Sequence, residues 1–396
     1  MKGMKALALA VCAALLQGCG LARAETAGSI QLEEPTLVAE IPLHGIAANV
    51  TVYDDGAFLL TGSQTNLTAS FSEASPATVL RINEKGETQW RFDFLMHEQA
   101  IVSFNEGFAL GENTYALMLT GADSTQGYSQ LLLLKDQEVV KREELPWDWI
   151  HQLEQVGDRL LRFSRPQGAL YEEEMTNREL FCYDQELNLL WQAEYDLPIF
   201  LADVLPLEEG YLLFGWLQEP DETGLGPSQG FVGKVDANGV LETYQTVEDD
   251  RLQYTHAIRT EDGGYLALGA CENASGRRLV HMTFFDQALN VTGTKHVTLE
   301  EDRWWNASDI VPVAGGFMVA YASEPDSKHM ALHAYDTAGN LTDSLSFPVD
   351  CKGLTVCSLR SNDYGIFLFV GALKPLEENH QQNRRWTLMY RLNGVP

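Results

Sequence analysis

The sequence predicts an all-β chain closed into a ring of seven four-stranded antiparallel sheets. Three observations predict it. A unit of about fifty residues returns seven times along the 396 residues. The segments inside each unit are short, β-branched, aromatic or leucine-rich, and show no helical period. The seventh unit ends after its third strand, at RWTLMYRLNGVP, while an orphan strand, Thr36 to Leu43, precedes the first. Pairing that orphan with the last strand completes the final sheet and protects an exposed edge. The arrangement is a seven-bladed β-propeller of four-stranded antiparallel blades, closed by its N-terminal strand.

Each unit carries two turns. The first, rich in Gly and Asp, leads into an apolar strand: Asp54-Asp55-Gly56, Gly111 to Asn113, Gly157-Asp158, Glu208 to Gly210, Asp262 to Gly264, Gly315-Gly316 and Asp363 to Gly365. The second closes the next hairpin: Asn83 to Gly86, Lys135 to Glu138, Asp184 to Leu187, Asp236 to Gly239, Asp286 to Leu289, Asp336 to Gly339 and Asn393-Gly394. Glycine supplies positive φ in such turns, and Asp or Asn caps its own backbone there. In unit five the expected strands, from the inside outward, are YTHAIRT, YLALGA, RLVHMTFFD and LNVTGTKHV. Runs such as Leu131 to Leu134 are apolar on both faces, as strands need when sheets stack on either side.

The repeat also carries a resemblance. EDGGYLALG and GFVGKVDANGVLETY resemble the blades of secreted bacterial propellers, often lipoproteins, which read roughly DGGY-x-x-x-G and K-x-D-x-x-G-x-x-x-W. Gly86 to Trp90 and Leu187 to Trp191 fit the end of that pattern, whereas Thr243 and Asp343 replace the tryptophan elsewhere. The resemblance covers nearly the whole mature chain. It implies a quinoprotein-like or WD40-like propeller and says little about activity, since such rings serve many functions. The vicinal cysteine pair of quinoprotein dehydrogenases is absent.

Ahead of the propeller stands a leader. Lys2 and Lys5 form a positive start, and Ala6 to Leu16 an apolar run well short of the ~20 residues that span a bilayer. Leu16-Gln17-Gly18-Cys19 resembles a lipobox, which would leave Cys19 lipidated; cleavage after Ala22-Arg23-Ala24 would instead release a soluble protein. The expected organisation is a signal peptide over 1–18, a linker over 19–35 and the propeller over 36–396. The expected location is extracytoplasmic: a cell-surface lipoprotein, or a secreted protein if cleavage follows Ala24. The net charge of −29 disfavours nucleic acid and anionic membrane surfaces, so a membrane contact is expected only through the lipid. Such acidity favours solubility and admits a cationic ligand. Export permits disulfides; Cys351 and Cys357 are the one close pair, worth about 2 kcal/mol if bridged. Cys182 and Cys271 lie in apolar strands and read as small hydrophobes. No C-x-x-C or H-x-x-x-H spacing points to zinc. The metal content is left open and no cofactor is expected, Ca2+ being the one ion the acidity would admit.

Both turns of each unit fall on one face of the ring. The other face receives longer links, Ser63 to Ala77, Ser164 to Arg178, Gln218 to Gln229 and Lys374 to Arg385, and loops held by a rigid scaffold carry function. Counting back from each turn places Asn49, His151, Asp203, His256 and Asp309 at the mouth of the central channel. Trp147, Trp149, Trp304 and Trp305 fall in the links between blades, with Asp249, Asp250, Arg251 and Tyr254 in the link before blade five. Indoles beside polar groups stack on sugars or hold peptide side chains. Trp90 and Trp191 sit on outer strands and read as packing. No G-x-S-x-G, H-E-x-x-H or phosphate-cradling loop occurs. The expectation is a monomeric, non-catalytic propeller that binds a protein, peptide or glycan on its loop-rich face. The alternative is a carbohydrate-active enzyme using Asp203 and Asp309 as its carboxylates.

Overall fold

A computed structural model describes residues 30–43, 50–53, 55–63, 76–96, 101–111, 113–122, 126–146, 152–164, 178–221, 224–272, 278–297, 305–323, 328–375 and 383–394. Seven four-stranded antiparallel sheets account for all of its strands. Six of them use four consecutive strands; the seventh takes three from the end of the chain and its outer strand, Glu33–Ile41, from the beginning. The fold is the predicted seven-bladed propeller. Blade five runs Gln253–Arg259, Tyr265–Glu272, Arg278–Phe285 and Val291–Val297, within two or three residues of its sequence-based bounds.

The turns form for the reasons read from sequence. Asp236 Oδ1 accepts the amides of Asn238 and Val240 at 2.8 Å each, and Asp286 Oδ1 those of Ala288 and Asn290 at 2.9 and 2.8 Å. The backbone bonds hold the Asp236 carboxyl below its ordinary value, and Asp286 is lowered first by the Asn290 side-chain amide, which donates to Oδ2 at 2.9 Å, and then by the backbone amides. Gly239 closes its turn at φ 80°, and a Cβ there would meet the Trp191 ring of the preceding blade at 2.4 Å. In blades three and five Leu187 and Leu289 take that position at φ 57° and 68°. Leu187 is buried in an inter-blade cluster, and Leu289 packs against another. Their side-chain burial offsets the roughly 1–2 kcal/mol that a non-glycine residue pays in the left-handed region.

Hydrophobic burial lies between blades. Seven clusters of buried side chains occur, one at each junction of neighbouring sheets. A sheet apolar on both faces satisfies neither alone, so the stack is stable only as a ring. At the closing junction Leu37 pairs with Tyr390 and Ile41 with Thr387, and Asn393 Nδ2 donates to the Glu34 carbonyl at 2.8 Å. Trp90 stacks on Tyr115 of the next blade, ring centroids 4.9 Å apart, and Trp191 lies against Tyr211 at 6.1 Å.

One expected link, Gln218 to Gln229, is strand for most of its length, and another, Lys374 to Arg385, is strand at both ends. Pairing in blade four continues past Gln218–Ser228 to Asp221–Gly224, and in blade seven to Pro375–Asn383. Glycines and Pro220 in the first segment suggest a loop by composition; a register shift between Gln218 and Pro220 accommodates the proline instead. The links 64–75 and 165–177 lie outside the described residues.

Candidate functional site

In blades two, four, five and six the inner strand shifts register by one residue against its neighbour, and the residues resuming the ladder are Glu106, Asp203, His256 and Asp309. A bulge re-aims a side chain, and all four face a cavity of about 560 Å³ to which every blade's inner strand contributes. Asp203, His256 and Asp309, predicted as a set, are thus brought together. Asn49 and His151 lie outside the described residues.

The carboxylates in this channel bind the ring itself. Asp203 accepts the amide of its own neighbour Val204 through Oδ1 at 2.7 Å and that of Ala257, in blade five, through Oδ2 at 2.6 Å. Asp309 repeats the pattern with Ile310 at 2.8 Å and Leu359 of blade seven at 2.9 Å. Glu106 accepts the amide of Leu153 in blade three. Thr51 Oγ1 donates to the Gly107 carbonyl at 2.8 Å, and Gln152 Nε2 to that of Ala202 at 2.7 Å. Arg360 completes the circle: Nη1 donates to Asp309 Oδ2 at 2.5 Å, and Nε to the Val50 carbonyl of blade one. Six of seven junctions therefore carry a side-chain bond to the next inner strand. Between blades five and six, among the described residues, there is none: His256 stands at the carboxylate's place, and its Nδ1 lies 3.0 Å from Thr255 Oγ1 of its own strand.

Glu154 differs from the other acids. It was not singled out by the sequence, because it stands in a strand whose ladder has no bulge. Partly open to the cavity, its carboxyl accepts one hydrogen bond, from Gln152 Nε2 at 3.0 Å. Burial raises its pKa above the ordinary value, against the pull of Gln152 and Arg360. Asp203 is raised well above its own, first by burial and then by the Glu154 charge. Burial pushes His256 down. Among the described residues, the channel thus sets Glu106, Glu154, Asp203 and Asp309 against the guanidinium of Arg360.

A second polar group lies at the junction of blades four and five. Asp249, Cys271, His281 and His296 place one donor atom each within 4.8 Å of one another. Burial pushes His281 down to about 4; burial and then the Asp249 and Asp250 carboxylates push the Cys271 thiol up to about 12. Sequence reasoning missed the set, since its members are spaced by no metal motif and Cys271 reads as a strand hydrophobe.

The remaining predicted residues fare differently. Tyr254 is fully buried and not a surface contact: its ring lies on Gly230 of blade four, and its hydroxyl donates to Thr283 Oγ1 at 2.7 Å. Asp250 is exposed. Trp305 opens the inner strand Trp305–Val313 and does not lie in a link; its side chain, and all of Trp147, Trp149 and Trp304, fall outside the described residues. So do the leader and Cys19. Cys351 is a free thiol buried with Val349 and Leu354, and the Cys357 side chain is outside the described set, so the geometry lends the expected bridge no support.

No family model and no curated protein matches the sequence. Solved structures do. The β-propeller domain of the Trilobed protease from Pyrococcus furiosus aligns over 90% of this chain and 94% of its own, with 11% identity and a TM-score of 0.51. Kluyveromyces lactis Hsv2 aligns over 92% and 100%, with 12% identity and a TM-score of 0.46. The subtype N11 neuraminidase-like protein of A/flat-faced bat/Peru/033/2010 aligns over 90% and 97%, with 8% identity and a TM-score of 0.46. The likeness to the first is one of fold. That propeller has an open velcro topology, whereas strand Glu33–Ile41 closes this one.

Proposed function

We propose that this chain is an exported, lipid-anchored, non-catalytic propeller that binds a peptide or protein on its channel face, receiving a positively charged side chain in the channel. One observation carries the reading. Both oxygens of Asp203 and of Asp309 accept amides from two consecutive blades, which removes them as a general acid and base, while Glu154 keeps acceptor capacity toward the lumen. A carboxylate with one partner in a cavity of net negative charge favours a Lys or Arg head group. The same engagement of Asp203 and Asp309 counts against the carbohydrate-active alternative, which needs one free acid and one free base.

The test is an array of short peptides and glycans over the mature propeller, with Lys, Gln and Glu variants of each peptide that binds. Lysine peptides should bind best, and Glu154→Gln should weaken them about tenfold or more, the scale of a hydrogen bond to a charged group. Binding indifferent both to peptide charge and to Glu154 would sink the reading, as would hydrolysis of a glycan. The anchor is tested separately: Cys19→Ala should shift the protein from the membrane fraction to the soluble one.

A further inference from the structure

We propose that Asp249, Cys271, His281 and His296 form a zinc site that ties the link between blades four and five to three strands of blade five. The register builds it. His281 stands directly opposite His296 on the outer strand and opposite Gly269 on the second strand. Cys271 lies two residues beyond Gly269, so it shares the face of His281. Asp249 arrives from the link, held by its own turn: Oδ1 accepts the Asp250 amide at 2.8 Å, which leaves Oδ2 directed at both imidazoles. Oδ2 is 3.0 Å from His281 Nδ1 and 2.6 Å from His296 Nε2.

His281 points to a missing partner. Its side chain is 1% exposed, and what Nδ1 has beside it is the Asp249 carboxylate, 3.0 Å away and poorly aligned for a hydrogen bond. A buried polar atom left so costs about 1–3 kcal/mol unless something fills the place. The other ring nitrogen is fixed: Nε2 lies 2.8 Å from Thr283 Oγ1, which also accepts the Tyr254 hydroxyl at 2.7 Å. Metal-bound histidines are oriented in this way through their far nitrogen. Tyr254 and Thr283 are therefore positioning residues for the site.

The donors select the ion. Two imidazoles, a thiolate and a carboxylate suit zinc, whereas Ca2+ and Mg2+ take oxygen ligands. Zinc–donor distances of about 2.0–2.3 Å set tetrahedral donors roughly 3.3–3.8 Å apart; the four atoms lie within 4.8 Å, so binding opens the 2.6 Å contact of Asp249 with His296, whose side chain is 44% exposed, and draws the widest pair together. That exposure also gives the ion a way in. On binding, the Cys271 proton leaves to solvent as the Zn–S bond forms. Four protein donors fill the coordination shell, which makes the site structural.

The experiment is equilibrium dialysis of the intact propeller against Zn2+, with thermal unfolding with and without chelator. About one zinc per chain should be retained, and chelation should lower the midpoint of unfolding. His296→Ala, at an exposed position that leaves the fold intact, should weaken zinc binding at least tenfold. Co2+ in place of zinc should show a thiolate-to-metal absorption band that Cys271→Ser removes. No retained zinc in a folded wild-type chain, zinc binding unchanged in His296→Ala, or a cobalt spectrum indifferent to Cys271→Ser would each overturn the proposal.

Discussion

The channel and the blade-five cluster are both crowded with polar side chains, but the acids that the sequence picks out in the channel are engaged from within, which leaves Glu154 as its acceptor facing the lumen. In the channel Asp203 and Asp309 use every oxygen on the backbone of two blades, and Arg360 ties Asp309 to blade one. In the cluster His281 Nδ1 is buried with only a poorly aligned contact to the Asp249 carboxylate, 3.0 Å away. Conspicuous acids at the axis of a ring thus serve as mortar, and the quieter set at a blade junction has the unmet demand. Polar residues in a fold of this kind are better judged by what they leave unpaired than by where they sit.

Substitutions should separate the two regions. The largest effect is expected at Asp309→Ala, which leaves the Leu359 amide and the buried face of Arg360 without their acceptor; urea unfolding should show a loss of about 3–5 kcal/mol. Thr283→Val should weaken zinc binding about 10- to 100-fold by releasing the far nitrogen of His281, with little change in chelated protein. His281→Leu should abolish zinc binding yet leave chelated stability within about 1 kcal/mol, because an apolar residue removes the unpaired atom along with the ligand. A loss as large as that of Asp309→Ala would erase the distinction between the regions.

Protons should sharpen the comparison. Glu154 and Asp203 have raised pKa values, so each holds its proton to higher pH than an ordinary carboxyl. A cation favours the deprotonated form; affinity for a basic peptide should therefore climb as pH rises through their titration, and climb less steeply in Glu154→Gln. The turn carboxyls behave oppositely. Asp236 is depressed by backbone hydrogen bonds, and Asp286 first by the Asn290 side-chain amide and then by backbone amides, so their contribution is present at neutral pH and lost as pH falls through the folded-state values. Asp286→Asn should flatten a small part of the acid limb in a stability–pH profile.

The ring was legible because its signals are local and repeated: a glycine or aspartate every half-unit, an apolar strand after it, and one strand too many at the start. The same counting brought Asp203, His256 and Asp309 to one cavity. It could not reveal that their oxygens are engaged, since the amides involved belong to other blades. Glu154 escaped because its strand lacks the bulge that marks the others. Tyr254 read as a surface aromatic because nothing nearby shows that Gly230, in the preceding blade, leaves a berth for its ring. Asp249, Cys271, His281 and His296 converge only through strand register, which composition does not encode.

The bond from Asn393 to Glu34 joins positions 359 apart in the chain. At about 5–20 residues per second, a ribosome needs roughly 20–70 s to deliver the second partner after the first. Throughout that wait the segment that will latch the circle has nowhere to dock, and its bare hydrogen-bonding groups are open to any neighbour. Closure therefore waits for the strand Asn383–Asn393, and a chain lacking that strand would be not a slightly smaller protein but an unsealed one.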